Sequence, residues 1–228
     1  MEFVENKGQW HELVQYKGDF NGGSFFLEQK GFTVLLHNTK ELSEVSELGH
    51  SASGKSVTLH SFAYKVALLD ATQHIKTIPE KPMDSYNNYF VGNDPKKWAG
   101  RCRIFQAITY KNVYPDIDLR YYSDGGRLKY DFIVYPGGNP SNIALKYDGP
   151  ELMIKDKELI IKTPIGDVKE LYPYSYQPSP KGKQEVDCRY VLKNNILTFT
   201  VKGYDPAQTL IIDPTIIFSS FTGSTADN

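Results

Sequence analysis

The chain has 228 residues, long enough for one large β-rich domain, or two small ones, to bury a core without metals or disulfide staples. Lys and Arg number 26 against 27 Asp and Glu, a net charge of -1, so no overall field draws in nucleic acid or anionic lipid. Aromatics make up 13%, led by 16 Tyr and 12 Phe that suit half-buried pleated strands, and no run of about 18 apolar residues reads as a membrane-spanning helix.

Met1 leads directly into EFVENKGQW, without the basic flank, apolar stretch and cleavage site of a signal peptide. The expectation is either a cytoplasmic protein or one whose leader has been removed. Residues 24–27 and 32–36 flank Glu28, Gln29, Lys30 and Gly31 and predict a hairpin in which Gly31 supplies the positive φ. Leu42, Val45 and Leu48 recur every three residues before Gly49, which fits a short surface helix over 39–48 or a loop. Residues 57–69 read as one long strand or two in succession. The least strand-like stretches are 38–56 and 72–85, the second containing Pro79 and Pro82. Asp94 is placed to cap one turn that begins at Pro95 and carries Trp98.

From Arg101 onward the alternation strengthens, with strands expected over 103–110, 117–122, 128–135, 143–147, 152–155 and 159–163 between turn residues. Two more hairpins follow, one across Pro164, Ile165 and Gly166 and one across Lys193, Asn194 and Asn195, where Asn tolerates left-handed backbone. The last strands, 209–212 and 215–218, are interrupted by Asp213 and Pro214, which favours an edge or a change of sheet. The pattern predicts an all-β fold, a large antiparallel β-sandwich with little helix. It is organised either as one continuous domain over 1–218 or as two packed β lobes, 1–78 and 79–218.

Candidate sites are few. Asp116, Asp118, Asp124 and Asp131 cluster along one strand and its turn, and the first three are the calcium candidates, since Asp116 and Asp118 share a strand face. Turn and edge carboxylates remain the plainer explanation, and one hairpin does not supply the facing carboxyls of a glycosidase. The histidines, His11, His37, His50, His60 and His74, show no zinc spacing. GHSASGK at 49–55 lacks both the nucleophile elbow and the phosphate-loop spacing. No catalytic residue, metal or cofactor is assigned. Trp10, Trp98, Tyr121 and Tyr122, with Tyr172, Tyr174 and Tyr176 behind them, form the candidate stacking platform for a glycan, against the alternative that the tyrosines fill the core.

Four separated segments, FVENKGQW, YNNYFVGNDPKKWAG, VYPDIDLRYYSDGGRLKYDFIVYPGGNPSNIALKYDG and YDPAQTLIIDPTIIFSSFTGS, together resemble a domain of otherwise unassigned function. That domain stands at the start of large secreted and cell-surface proteins of Bacteroidota, ahead of β-propeller-type, PKD-like or immunoglobulin-like modules. Related chains often end in a type IX secretion sorting domain or a gliding-motility-associated segment. The resemblance implies a secreted or cell-surface location and a non-catalytic structural or interaction role beside downstream adhesin-like domains. It leaves a carbohydrate-binding module as the alternative and a hydrolase as a remote one. Expected partners are the downstream domains of the same polypeptide and a glycan or surface protein, with no nucleic acid and no membrane insertion. Residues 219–228, a polar run after the final strand, are expected to begin a linker or the next domain. Export also permits one bridge between the two cysteines, and a structural Cys102–Cys188 disulfide is expected.

Overall fold

The computed structural model describes residues 1–49 and 57–218, which hold nineteen β-strands, one α-helix and two 3-10 turns. The all-β expectation holds, and the strands form one large, nearly closed antiparallel sheet. No helix among the described residues is long and apolar enough to cross a membrane. The 49–55 motif, beyond Gly49, and the 219–228 segment lie outside the described residues.

The sheet has two layers joined by one long strand. The first layer is a meander of β1 (Phe3–Glu5), β2 (Val14–Phe20), β3 (Gly23–Glu28), β4 (Gly31–His37) and β5 (Ser61–Leu68). It continues from β5 through β10 (Ala144–Asp148) to β17 (Ile196–Lys202) and β16 (Asp187–Lys193). The joining strand is β7 (Ala99–Tyr114): Ile104 and Phe105 pair with β1, whereas Ala107 to Tyr110 pair with β8 (Ile117–Asp124). β8 passes the sheet on to β9 (Arg127–Val134), where it forks.

One branch of the fork runs through β18 (Leu210–Asp213), β14 (Tyr174–Ser179) and β15 (Gly182–Glu185). The other runs through β19 (Thr215–Phe218), β13 (Val168–Glu170), β12 (Glu158–Lys162) and β11 (Glu151–Lys155). The expected change of sheet at Asp213 and Pro214 is this fork. Pro214 has no N–H to extend either ladder, and its carbonyl instead accepts from Tyr130 N–H at 3.4 Å.

Local chemistry explains the turns and the helix. Gly31 has φ 148°, and a Cβ there would collide with the Val66 carbonyl oxygen. Asn194 and Asn195, at φ 51° and 58°, make the tight left-handed turn between β16 and β17. The helix α1 (Thr39–Gly49) forms where helix and loop were balanced, because Asn38 Oδ1 accepts from the Lys40 and Glu41 amides at its start.

β1, β2, β14 and β15 lie where no strand was expected, and one further stretch departs furthest from the sequence reading. β6 (Lys76–Tyr89) occupies most of the segment expected to be least strand-like, with Pro79 opposite Ile108 and Pro82 opposite Phe105. Among the described residues β6 pairs with β7 alone, and an edge strand of this kind is where prolines are tolerated. The boundary considered at 78/79 falls inside this strand, and both the sheet and the main core run across it.

The core lies between the layers and follows from period two. Ile117, Leu119 and Tyr121 on β8 and Leu128, Tyr130, Phe132 and Val134 on β9 are buried on the inner face. They meet Phe25 and Phe32 of the first layer, with ring centroids 5.8 and 6.1 Å from Tyr121. Each such ring contributes about 1.5–3 kcal/mol by leaving water. A smaller cluster of Val4, Ala99, Cys102 and Ile104, flanked by Trp10, Met83 and Tyr89, sits at the far end of the β6–β7 hairpin.

The expected disulfide is not formed. Cys102 and Cys188 are both free and buried, Cys102 in the smaller cluster and Cys188 in the main core. Their strands are not neighbours, since β7 pairs with β1, β6 and β8 while β16 pairs with β17. Burial pushes the Cys188 thiol up to about 11, so it serves as a small apolar side chain.

Candidate functional site

The loop between β1 and β2 is organised by one side chain. Asn6 Nδ2 donates to the carbonyls of His11 and Val14 at 3.0 and 2.7 Å, while its Oδ1 accepts from the Gly8 and Trp10 amides at 3.0 and 3.2 Å. These bonds fix the loop so that Trp10 lies half-buried, edge-on to Tyr89 with centroids 5.2 Å apart. An open groove of about 650 Å³ runs beside Trp10 and Tyr16 and is walled by Glu5, Glu12, Gln15 and Thr77. Glu5 is held by Arg103, accepting its backbone N–H at 2.8 Å, and Gln15 Oε1 accepts the Thr77 hydroxyl at 2.9 Å. Burial, with the Glu5 charge second, pushes the Tyr16 phenol up, so it stays a neutral donor. Two aromatic rings beside carboxylates and an amide suit a polyhydroxylated ligand, and Lys17 Nζ, 5.6 Å over the Trp10 ring, covers one of its faces.

Two further groups carry perturbed acidity. Glu170 on β13 is wholly buried between the layers. Tyr130 donates to its Oε1, Tyr147 donates to Oε2 at 2.9 Å, and the Tyr190 hydroxyl lies 3.3 Å from Oε1 while donating to the Leu171 carbonyl at 2.8 Å. Burial raises its carboxyl to about 6, against the lowering effect of the three phenols. On the outer face, Asp131 of β9 lies beside Asp213 of β18. Burial, then the Asp213 charge, raises Asp131 to about 7. Lys129 Nζ holds Asp213 Oδ2 at 2.7 Å, Tyr122 donates to Asp131 Oδ1 at 3.2 Å, and buried Asp213 Oδ1 has no donor among the described residues. Asp131, once protonated, can donate to the Asp213 carboxylate, and that bond adds to its raised pKa.

The sequence candidates fare unevenly. Asp116 sits in the β7–β8 turn at φ 56° and Asp124 at the exposed tip of the β8–β9 hairpin. Asp118 is 1% exposed and already engaged by Lys111 Nζ, by Asn112 N–H at 2.8 Å and by the Tyr135 hydroxyl at 2.8 Å. The three do not converge, and no group of three or more His, Cys, Asp or Glu among the described residues is placed to hold a metal. Period two puts Tyr121 inward, fully buried, which removes it from the stacking platform. Tyr122 points outward but is covered by Arg120, whose guanidinium lies 5.0 Å over its ring. Tyr174 and Tyr176 lie 5.6 Å apart at 33°, with Lys183 Nζ already 4.0 Å over Tyr176. Trp10 borders the groove, and Trp98 stands apart, exposed beside Phe90.

Glu170, the placing of Asp213 beside Asp131 and the Asn6-built loop were not read from the sequence. Glu170 carried a signal, since it shares the inward face of β13 with Val168 by period two. A family profile described as a domain of unknown function, DUF7948, matches residues 3–215. The chain belongs to the DUF7948 family. The match takes in both layers, the groove and the Glu170 network. Comparison with curated proteins and with solved structures gave no match.

Proposed function

We propose that this domain is a non-catalytic interaction module in the N-terminal part of a large exported surface protein, spacing or docking the adhesin-like domains that follow. The observation that carries this reading is Glu170. A carboxylate sealed between two layers and held by tyrosine hydroxyls ties the layers to each other and has no route to a substrate. Several outer-face charges also make strand-to-strand ties, such as Arg120 with Glu80 at 3.1 Å. An antibody against the domain should label intact cells of the source organism, and the purified chain should turn over no chromogenic ester, glycoside or peptide. Labelling only after lysis, or turnover abolished by Glu170→Gln or Asp131→Asn, overturns the reading.

The groove at Trp10 favours a second reading, a carbohydrate-binding module. Its rings, carboxylates and amide are the groups that recognise sugar faces and hydroxyls. A glycan array probed with the chain should give signals that Trp10→Ala removes. An array without signal, or signals indifferent to Trp10, rejects it.

A further inference from the structure

The turn of the β6–β7 hairpin carries the two most exposed large apolar side chains of the described residues, with a third ring beside them, near a local excess of positive charge. Phe90 is 62% exposed, Val91 79% and Trp98 44%, and the Phe90 and Trp98 rings meet edge to face at 6.0 Å. The Trp98 indole N–H is already bonded to the Gly92 carbonyl at 3.1 Å, so the ring seeks no polar partner. Lys96 and Lys97 form the 3-10 turn that delivers Trp98, and both are exposed. Phe90 lies over Gly100, whose carbonyl accepts Lys7 Nζ at 3.1 Å, and Arg101 follows, also exposed. The nearby acid, Asp94, caps the turn by accepting the Lys96 amide at 3.1 Å. Four cations therefore stand beside three bare apolar side chains in a molecule whose net charge is -1.

We infer that this tip docks the domain on the surface of an anionic lipid bilayer, the rings entering the headgroup layer while Lys7, Lys96, Lys97 and Arg101 meet lipid phosphates. Aromatic rings settle at the headgroup level, and basic residues beside them are attracted by the surface potential of anionic lipid. A second protein is disfavoured by size, because a stable protein interface takes roughly 800 Å² per partner and this tip offers three apolar side chains. The inference concerns docking on the interface, not insertion across it, and it stands independently of the Trp10 groove.

Co-sedimentation of the full 228-residue chain with phosphatidylcholine vesicles, with and without one-third phosphatidylserine, tests it. Binding should be restricted to the anionic vesicles, weaken in high salt and resist competition by soluble glycerophosphate. Each lysine contributes about fivefold, so the double substitution Lys96→Gln with Lys97→Gln should lower partitioning at least tenfold. Phe90→Ser with Trp98→Ser should lower it comparably, with an unchanged circular-dichroism spectrum showing that the fold is intact. Equal binding to neutral vesicles, no sedimentation with anionic ones, or partitioning unchanged by both double variants overturns the inference. So does competition by glycerophosphate, which would mark a soluble phosphate site. A dimer in analytical ultracentrifugation that the ring substitutions dissolve would overturn it too, assigning the tip to a second copy of the chain.

Discussion

The space around Glu170 and the tip around Phe90 use the same residue types to opposite ends. At Glu170, tyrosines from β9, β10 and β16 turn their hydroxyls onto one carboxylate, and strands far apart in the chain become mutually dependent. At the tip, aromatic rings project from a single hairpin, held by local contacts such as the Trp98–Gly92 bond. Polar groups inside the fold therefore act on stability, whereas apolar groups outside it are available for recognition.

The sharpest way to break that contrast is Glu170→Ala, which leaves the Tyr130 and Tyr147 hydroxyls without their acceptor and opens a cavity. Urea denaturation should show a loss of about 3–5 kcal/mol. A loss below about 1 kcal/mol would mean the network is incidental to the fold.

The next effect is one of pH. Glu170 and Asp131 bind protons more tightly in the folded chain than in the unfolded one, so their contribution to stability falls as pH rises. The window runs from about 4.5 to 6 for Glu170 and from about 3.8 to 7 for Asp131. Asp131→Asn keeps a donor for Asp213 Oδ1 without a charge and should add about 2 kcal/mol at pH 8, flattening the slope above pH 5. Unfolding midpoints of the two proteins measured from pH 5 to 8 decide it, and parallel profiles would count against a shared proton.

A smaller effect is expected at the cysteines. Two thiols should titrate in the denatured chain purified without reductant, and Cys188→Ala should cost about 1 kcal/mol. A melting temperature lowered by reductant would restore the bridge. Phe90→Ser should change stability least, by less than about 0.5 kcal/mol, because its ring is not part of either core.

Much of the fold was legible because period-two alternation reports which face of a strand is buried. It located β3 to β5, β7 to β13 and β16 to β19, with the turns at Gly31 and Asn194–Asn195, and it passed over β1, β2, β14 and β15. It failed at β6, where Pro79 and Pro82 argue against a strand unless its edge position is known, and edge position belongs to tertiary pairing. The site was less legible for the same reason. Tyr121 and Tyr122 are adjacent in sequence and opposite in fate, and only the placement of the two layers says which ring is inside. Asp131 and Asp213 come together through the pairing of β9 with β18 across the fork. Net charge says nothing of distribution: a total of -1 averages over the lysines and arginine gathered at one hairpin tip.

The prolines of β6 carry one more consequence. An open strand edge is a template on which an incoming chain can add rung by rung, and a protein held at high density is especially exposed to such polymerisation. Pro79 and Pro82 have no N–H to offer along this strand, and the pairing with β7 shifts register between Pro82 and Tyr86. The hairpin thus stands unpaired on its far side among the described residues while offering neighbouring copies a poor surface from which to grow a fibre.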